Sequence, residues 1–453
     1  MLFLDNARAR PFDPLFDAGR AATLPARFQI LAPDTAAAQA LRPMLAQQIW
    51  PHWSLAVAGE RGEVGDDEYV LALRAGDRLE PYALATLAAH ADRDGKPDAI
   101  YADEDALAGR IRIAPRLKPD WSPLFAKSGY LGAPLALRGA AWKAGGLDAA
   151  TARVSHARRV LLSRSEPEPA SPAPPAAAID IRRQATIIVP TRDRLDLIGA
   201  CVESLSRYPA GADFELVVID NGSESAEALA FLEKLDGAPD VRVLRRPGPF
   251  NFSAICNEGA RVARHPFLLF LNNDVRALAP DWLGRMLAFA AAPEVGAVGA
   301  KLLFPDGRLQ HGGVVLGLDG FAGHVQRAVG ADDPGYLGML AWPREVAAVT
   351  GACMAVEARK FFEVGGFDEV RLPIEYNDID LCLRLAERGY KSVFEPRARL
   401  EHRESASRGA NPYLDGRYAH EHSYFRERWA RMLRDDPYFH PALSLDALEI
   451  ALG

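Results

Sequence analysis

The stretch Ala185–Asp193, ATIIVPTRD, begins as an apolar run, stops at a proline and turns polar within three residues. Behind it Leu197, Cys201 and Leu205 recur every four residues, which puts them on one side of a helix. Strand, polar loop and helix therefore follow one another. The pattern repeats: Phe214 to Ile219 is apolar and ends in Asp220-Asn221-Gly222-Ser223, after which Ala226 to Leu235 has helical spacing. Val241 to Leu244 and Phe267 to Leu271 supply two further strands, the second halting at Asn272-Asn273-Asp274. This alternation predicts an α/β fold with a mostly parallel sheet flanked by helices, whose ligand edge lies at the carboxyl ends of the strands.

The chain of 453 residues is 49% hydrophobic, enough for two or three domains with large cores. Fifty-three basic against sixty acidic residues leave a net charge of -7, and no basic block tracks a phosphate backbone, so nucleic acid is excluded as the expected partner. Cys201, Cys256, Cys353 and Cys382 are widely spaced among apolar segments, as buried thiols of a reducing compartment would be. The N-terminal MLFLDNARARPFDP has no long apolar core, and no segment reaches the roughly 18 apolar residues of a membrane span. A cytoplasmic protein is expected, with contact at the inner face of the cytoplasmic membrane left open.

Residues 165–183 are rich in Pro, Ala and Ser and read as an extended linker. They divide a module at 1–164 from one at 184–453, the latter ending in a helical extension. The first module repeats the layout of the second more poorly. Phe28 to Pro33 parallels the strand at 185, WSLAVAGE at Trp53–Glu60 parallels the run ending in Asp220, and Asp77 follows Tyr69 to Leu73 as Asp274 follows its own strand. A truncated internal duplication is the expected explanation. Its acidic cluster Asp103-Glu104-Asp105 has a solvated turn as the plain alternative to a site.

Several polar residues fall at expected strand ends or helix starts. Asp220 could accept hydrogen bonds from a ribose or base, or simply close an Asx turn. Asp274 could face a divalent cation on a diphosphate, since a hard oxygen ligand suits magnesium or manganese; a turn cap is the alternative. Asp378 and Asp380 open a helical pattern, where exposed amides favour carboxylates; capping explains one of them, and the other could serve as a general base. His402 and Arg408 lie in a polar loop that could meet metal and diphosphate or remain solvated. Asn257 could reach across a nucleotide cleft, with Asn251 and Ser253 before its helix as caps. Thr350-Gly351 permits close backbone approach.

In combination these motifs resemble the family 2 glycosyltransferases, of the inverting, nucleotide-sugar-dependent kind that assembles bacterial O-antigen and other surface polysaccharides. The likeness spans about residues 184 to 446 and rests on IIVPTRD, VVIDNGS, FNFSAICN, FLLFLNNDV, LQHGGVVLG, AVTGACMAV, VGGFDE, YNDIDLCLRLAERGY and LEHRESASRG. It implies a GT-A fold in which Pro190, Asp193 and Asp220 line the nucleotide end, joined by Asn257, Asn273 and Arg408. Asp274 matches the last acid of the family's metal motif, whose first position is Asn272 here, and His402 matches a histidine that meets metal or diphosphate. Asp378 matches the catalytic base for the acceptor hydroxyl, with Asn377 where many relatives have Glu. Thr350 and Gly351 look like the floor of the sugar cleft, and Trp342 either shields the sugar or packs. The resemblance thus implies Mg2+ or Mn2+, a nucleotide-sugar donor, a glycan or lipid-linked oligosaccharide acceptor, and contact with the membrane or other polysaccharide-assembly proteins. The first module, lacking a counterpart of YNDIDL, reads as non-catalytic and architectural, acceptor-positioning or pairing.

Overall fold

The computed structural model describes residues 25–59, 64–109, 111–148, 151–165, 183–327, 329–403, 417–446 and 449–453. They form two compact units. The first takes the described residues below 173 with Pro437–Ser444 and Leu452–Gly453; the second takes those from 173 to 436 with Leu445–Ala451. Residues 437–444, expected in the extension of the second module, thus group with the first. Most of the linker, and Arg408, lie outside the described residues. No helix among the described residues is long and apolar enough to cross a membrane.

In the first unit the chain runs β1 (Phe28–Ala32), α1 (Thr35–Leu45), β2 (Trp53–Val57), β3 (Tyr69–Ala72), β4 (Arg78–Leu79), α2 (Ala83–Arg93), β5 (Ala99–Ala108), β6 (Ile111–Arg116), α3 (Pro123–Ala126), β7 (Leu135–Arg138), α4 (Gly139–Lys143) and β8 (Val154–Arg164). Asp34 starts α1 by accepting from Ala37 N at 2.7 Å. Ala37, Ala38, Leu41 and Leu45 then bury one face of the helix. The acidic cluster is not a solvated turn. Asp103, Glu104 and Asp105 lie buried in β5. Lys118, itself fully buried, donates to the carbonyls of Ala102, Leu131 and Ala133 and stands 3.4 Å from Glu104, while His156 is held between Asp103 (3.2 Å) and Asp120 (2.9 Å). Partners distant in the chain make this burial tolerable, and local sequence could not reveal them.

The second unit runs β9 (Gln184–Thr191), α5 (Leu195–Arg207), β10 (Asp213–Asp220), α6 (Ala226–Asp236), β11 (Val241–Arg245), α7 (Phe252–Val262), β12 (Phe267–Leu271), β13 (Val275–Ala277), α8 (Trp282–Ala290), β14 (Val295–Leu303), β15 (Leu309–His311), β16 (Val314–Leu316), β17 (Ala322–His324), β18 (Arg344–Val346), β19 (Cys353–Glu357), α9 (Ala358–Glu363), α10 (Asn377–Glu387), β20 (Lys391–His402) and α11 (Ala419–Arg428). β9 and β12 lie inside the sheet and are apolar nearly throughout, as strands covered on both faces must be. Helix α5 buries Leu197, Ile198, Cys201, Ser204 and Leu205. Fully burying each of its aliphatic side chains contributes about 1.5–3 kcal/mol. Gly259 lets α7 lie close on β9, because a Cβ there would stand 2.4 Å from Ile188 Cγ2.

The sheet order is β11-β10-β9-β12-β19-β14-β20-β13. It is parallel from β11 to β12, as expected, and mixed beyond, because β19 enters antiparallel between β12 and β14. That insertion is a long-range pairing with no local sequence signal. The first sheet has the order β2-β1-β3-β7-β5-β8-β4. Its pairings run parallel, parallel, antiparallel, antiparallel, parallel, antiparallel. Starting from β10, the second sheet shows the same series: β10-β9-β12-β19-β14-β20-β13. The first unit has no described counterpart of β11 or of α10.

Candidate active site at the strand ends

The parallel strands of the second unit deliver a set of polar groups to one edge. Pro190 lies near the end of β9, opposite Ile219 and past the last β9–β12 pair, Ile188 with Phe270, so no ladder bond to β12 needs the N–H that proline lacks. Asp193 has a left-handed backbone, φ 52°. Its Oδ1 accepts from Glu224 N (2.6 Å) and Ser225 N (2.8 Å), while its own N–H donates to Ser223 Oγ. Those two backbone bonds hold the Asp193 carboxyl below its ordinary range. Asp220, buried at the end of β10, accepts from Ser223 N and Oγ through Oδ1, and its Oδ2 faces Arg245 Nη1 at 3.3 Å. It is therefore an Asx-type turn, with its second oxygen turned toward a half-exposed guanidinium.

The amides before Asp274 are structural ties. Asn273 Nδ2 donates to Thr191 Oγ1 at 3.0 Å, and Asn272 N donates to Ala352 O at 3.0 Å. The first bond joins the loop after β12 to the end of β9, the second to the turn before β19. Asp274 itself is buried, and its Oδ1 lies 3.3 Å from His402 Nε2. His402 was expected in a loop; it is instead the last residue of β20, buried, because β20 continues far enough to pair with Val275. Its Nδ1 faces Gln310 Oε1 at 3.4 Å. An amide oxygen only accepts, so this contact favours a proton on Nδ1 and leaves the Nε2 lone pair pointing at a carboxylate. Among the described residues Asp274 Oδ1 accordingly has no aligned hydrogen-bond donor. Two acceptors facing each other in a buried place fit a cation between them.

No group of three histidine, cysteine, aspartate or glutamate side chains able to hold a metal occurs among the described residues. A carboxylate and an imidazole suit a hard divalent ion that keeps its remaining positions for phosphate oxygens and water. Gln310 would fix the orientation of the histidine ligand.

Asp378 stands in the first turn of α10. Its Oδ2 accepts from Gly351 N at 2.7 Å and its Oδ1 from Ile379 N at 2.8 Å. Burial pushes its carboxyl above the ordinary value, opposed by the bonds from Gly351, Ile379 and Thr350. Gly351 lets the two approach: a Cβ there would sit 3.3 Å from Asp378 Cβ. Because Asn272 bonds Ala352 and Gly351 bonds Asp378, the turn 350–352 links the loop of Asp274 to the start of α10 at one sheet edge. Asp380, two residues on, is fully engaged elsewhere, with Arg384 at 2.7 Å and Trp429 Nε1 at 3.0 Å. Of the two acids, Asp378 is the one bonded to the turn 350–352.

Other expected residues are spent on architecture. Asn257 clamps the loop after α9, donating to Phe367 O and Glu369 Oε2 and accepting from Phe367 N, each at 2.9 Å. Asn377 donates to Ile374 O within its own turn. Trp342 is half-buried, and its Nε1 has no hydrogen-bond partner. Gln310 and Arg245 were not singled out from sequence as site residues, since each acquires its meaning from a partner 92 or 25 residues away.

Residues 186–360 match the family model described as glycosyl transferase family 2. The family match thus falls within the second unit. Among curated proteins the chain is 35% identical over 445 residues to the O-antigen biosynthesis protein RfbC of Myxococcus xanthus, covering 85% of this chain and 34% of that protein. It is 42% identical over 271 residues to the uncharacterized protein y4gI of Sinorhizobium fredii, covering 59% of this chain and 30% of that protein. The chain thus spans about a third of the length of these relatives. A crystal structure of GalNAc-T7 with UDP, GalNAc and Mn2+ aligns with TM-score 0.43 and 16% identity, over 56% of this chain and 50% of that one. Of the described candidate residues, Asn377, Asp378 and His402 lie beyond the matched stretch, in α10 and β20.

Proposed function

We propose that the second unit is an inverting, metal-dependent glycosyltransferase that moves a sugar from a nucleotide-sugar donor to a glycan or lipid-linked glycan acceptor. The likeness to an O-antigen biosynthesis protein supports bacterial surface polysaccharide as the product class, and with it a reaction at the cytoplasmic face of the membrane. The observation that carries the reading is the buried Asp274 oxygen, which faces His402 Nε2 with no donor among the described residues and is joined through the turn 350–352 to a carboxylate of raised pKa at Asp378.

Asp274 and His402 would hold Mg2+ or Mn2+, and Arg408, which lies outside the described residues, would meet the diphosphate. When bound, the cation supplies positive charge to the departing nucleoside diphosphate. Asp193, Asp220 and Asn273 shape the loops at the nucleotide end, with Pro190 ending the strand beneath them. Thr350, Gly351 and Trp342 border the sugar, and Asn377 supports the turn before Asp378 through its bond to Ile374 O. Asp378 takes the proton of the acceptor hydroxyl as that oxygen bonds to the anomeric carbon. The bond from that carbon to the phosphate oxygen breaks, and its electron pair leaves with the diphosphate. A base with a raised pKa holds the proton more firmly once taken, and inversion follows from the single displacement.

The first unit is best read as a non-catalytic relative of the second. The shared series of strand pairings supports this, and so does the missing counterpart of α10, the helix that carries Asp378. Asp77, at the position of Asp274, faces Arg164 Nε at 3.5 Å, and Glu104 lies 3.7 Å from the same nitrogen. A guanidinium therefore neutralises the acids that would otherwise attract a metal.

The deciding experiment incubates the full chain with a panel of nucleotide sugars and Mn2+, then follows nucleoside diphosphate release and product mass on lipid-linked acceptors. Anomeric inversion in the product is expected. Donor binding with no turnover on any acceptor would point to a silent binding module, and release of pyrophosphate to a nucleotidyltransferase.

A further inference from the structure

Resting on the proposed role of Asp378, we infer that helix α11 is the positioning clamp for this base, acting through Glu421 and an aromatic stack on Tyr376. Asp378 sits two residues after Tyr376, whose backbone is left-handed at φ 57°. A bulky residue reaches that conformation only when its surroundings impose it. Helix α10 starts there without a side-chain cap from Tyr376, and the bond from Asn377 Nδ2 to Ile374 O at 3.0 Å is a local tie on the turn.

The other holding groups come from elsewhere in the chain. The Tyr376 ring lies between Phe425, at 4.5 Å and 13° between planes, and Phe321, at 5.8 Å and 12°. His422 meets both Tyr376 and Phe321 edge-on. Glu421 is buried, and its Oε2 accepts from Ile374 N at 2.8 Å and Glu375 N at 2.7 Å, fixing the two residues that lead into the turn. Trp429, just past the end of α11, holds Asp380 from the far side of Asp378. Backbone immediately before the base, the turn itself and the acid after it are each held by a group on or adjoining α11. A helix engaged only for packing would not need a buried carboxylate on two backbone amides at this point, because burying that charge is unfavourable without such partners.

In this arrangement Glu421 and Phe425 touch neither donor nor acceptor. They determine where the Asp378 carboxylate stands relative to the acceptor oxygen, and a displacement of about 1 Å in such a group can cost on the order of 100-fold in rate. Donor binding depends on Asp274, His402 and the nucleotide loops, on the other side of the turn 350–352, so the clamp should influence kcat alone.

The test uses the full chain with nucleotide sugar, Mn2+ and acceptor. Glu421→Ala and Phe425→Ala are expected to lower kcat by roughly 10- to 100-fold with donor KM unchanged. Glu421→Gln, which keeps an oxygen able to accept both backbone N–H groups, and Tyr376→Phe, which keeps the stacked ring, should restore near wild-type kcat. Folding is checked by circular dichroism; if either alanine variant fails to fold, Phe425→Leu replaces it, removing the stack while keeping apolar volume. Folded alanine or leucine variants with wild-type kcat, or equal losses in the conservative pair, overturn the clamp. Asp378→Asn run in parallel separates the two ideas: full turnover in that variant sinks the base assignment itself, whereas its loss beside unaffected clamp variants sinks only the inference about α11.

Discussion

Replacing Asp378 by Asn tests the mechanism at its centre. The carboxylate accepts from Gly351 N and Ile379 N through its two oxygens. Asparagine keeps one acceptor and turns an NH2 toward the other donor. Leaving one backbone N–H without an acceptor costs about 1–3 kcal/mol, and the cost is offset in part because the fold disfavours the ionised aspartate. The sign follows from the raised pKa: stability from this group is greatest where it is protonated and is lost as pH rises through the carboxylate range, so the neutral amide removes a penalty at pH 7. A folded variant is therefore expected. Its chemistry should collapse, because general-base catalysis contributes about 10²- to 10⁴-fold, equal to about 2.7–5.4 kcal/mol of barrier. Continuous measurement of nucleoside diphosphate release with acceptor present reads kcat, and calorimetry reads donor affinity, which should be unchanged. In the wild type the acid limb of kcat should fall above the ordinary aspartate pKa, since Asp378 must be ionised to act. A folded Asp378→Asn protein with wild-type turnover, or a wild-type profile flat through the carboxylate range, refutes the reasoning.

Other consequences follow from neighbouring contacts. Asp274→Ala should abolish Mn2+ binding, seen as a fall from one ion per chain to none by electron paramagnetic resonance; a residual ion would mean that the Asp77–Arg164 pair leaves the first unit open to metal. Gln310→Leu, by freeing the His402 ring, should weaken Mn2+ affinity about 10- to 100-fold, and unchanged affinity would deny Gln310 its orienting role. Burial pushes the thiols of Cys201 and Cys382 up to about 12 and holds those of Cys256 and Cys353 well above the ordinary thiol value, so none of the four should react with an aromatic disulfide at pH 8 until denaturant is added. Prompt labelling of the native protein would contradict their burial.

Local pattern was enough to read the alternation of strands and helices from Ala185 to Leu271, because apolar period and turn chemistry act over a few residues. The same reading found Asp220, Asp274 and Asp378, each at the end of a strand or the start of a helix, where a side chain is released from the core to the edge. It also expected a weaker repeat in the first module, and the two sheets share one series of strand pairings from β10 onward. It failed wherever the decisive partner is far away. Asp103 to Asp105 reads as a polar turn until Lys118 and His156 are brought against it. Asn257 resembles a donor-binding amide until residues 367–369 occupy it.

Sequence by itself determined the α/β character, since that depends on short-range spacing and side-chain chemistry. Tertiary structure alone decided that β19 enters antiparallel, that His402 ends a strand facing Asp274, and that Asp380 is ion-paired with Arg384 whereas Asp378 has no ion pair among the described residues. The first two outcomes depend on pairings across tens to hundreds of residues, whose loop-closure cost is repaid only when the whole sheet assembles.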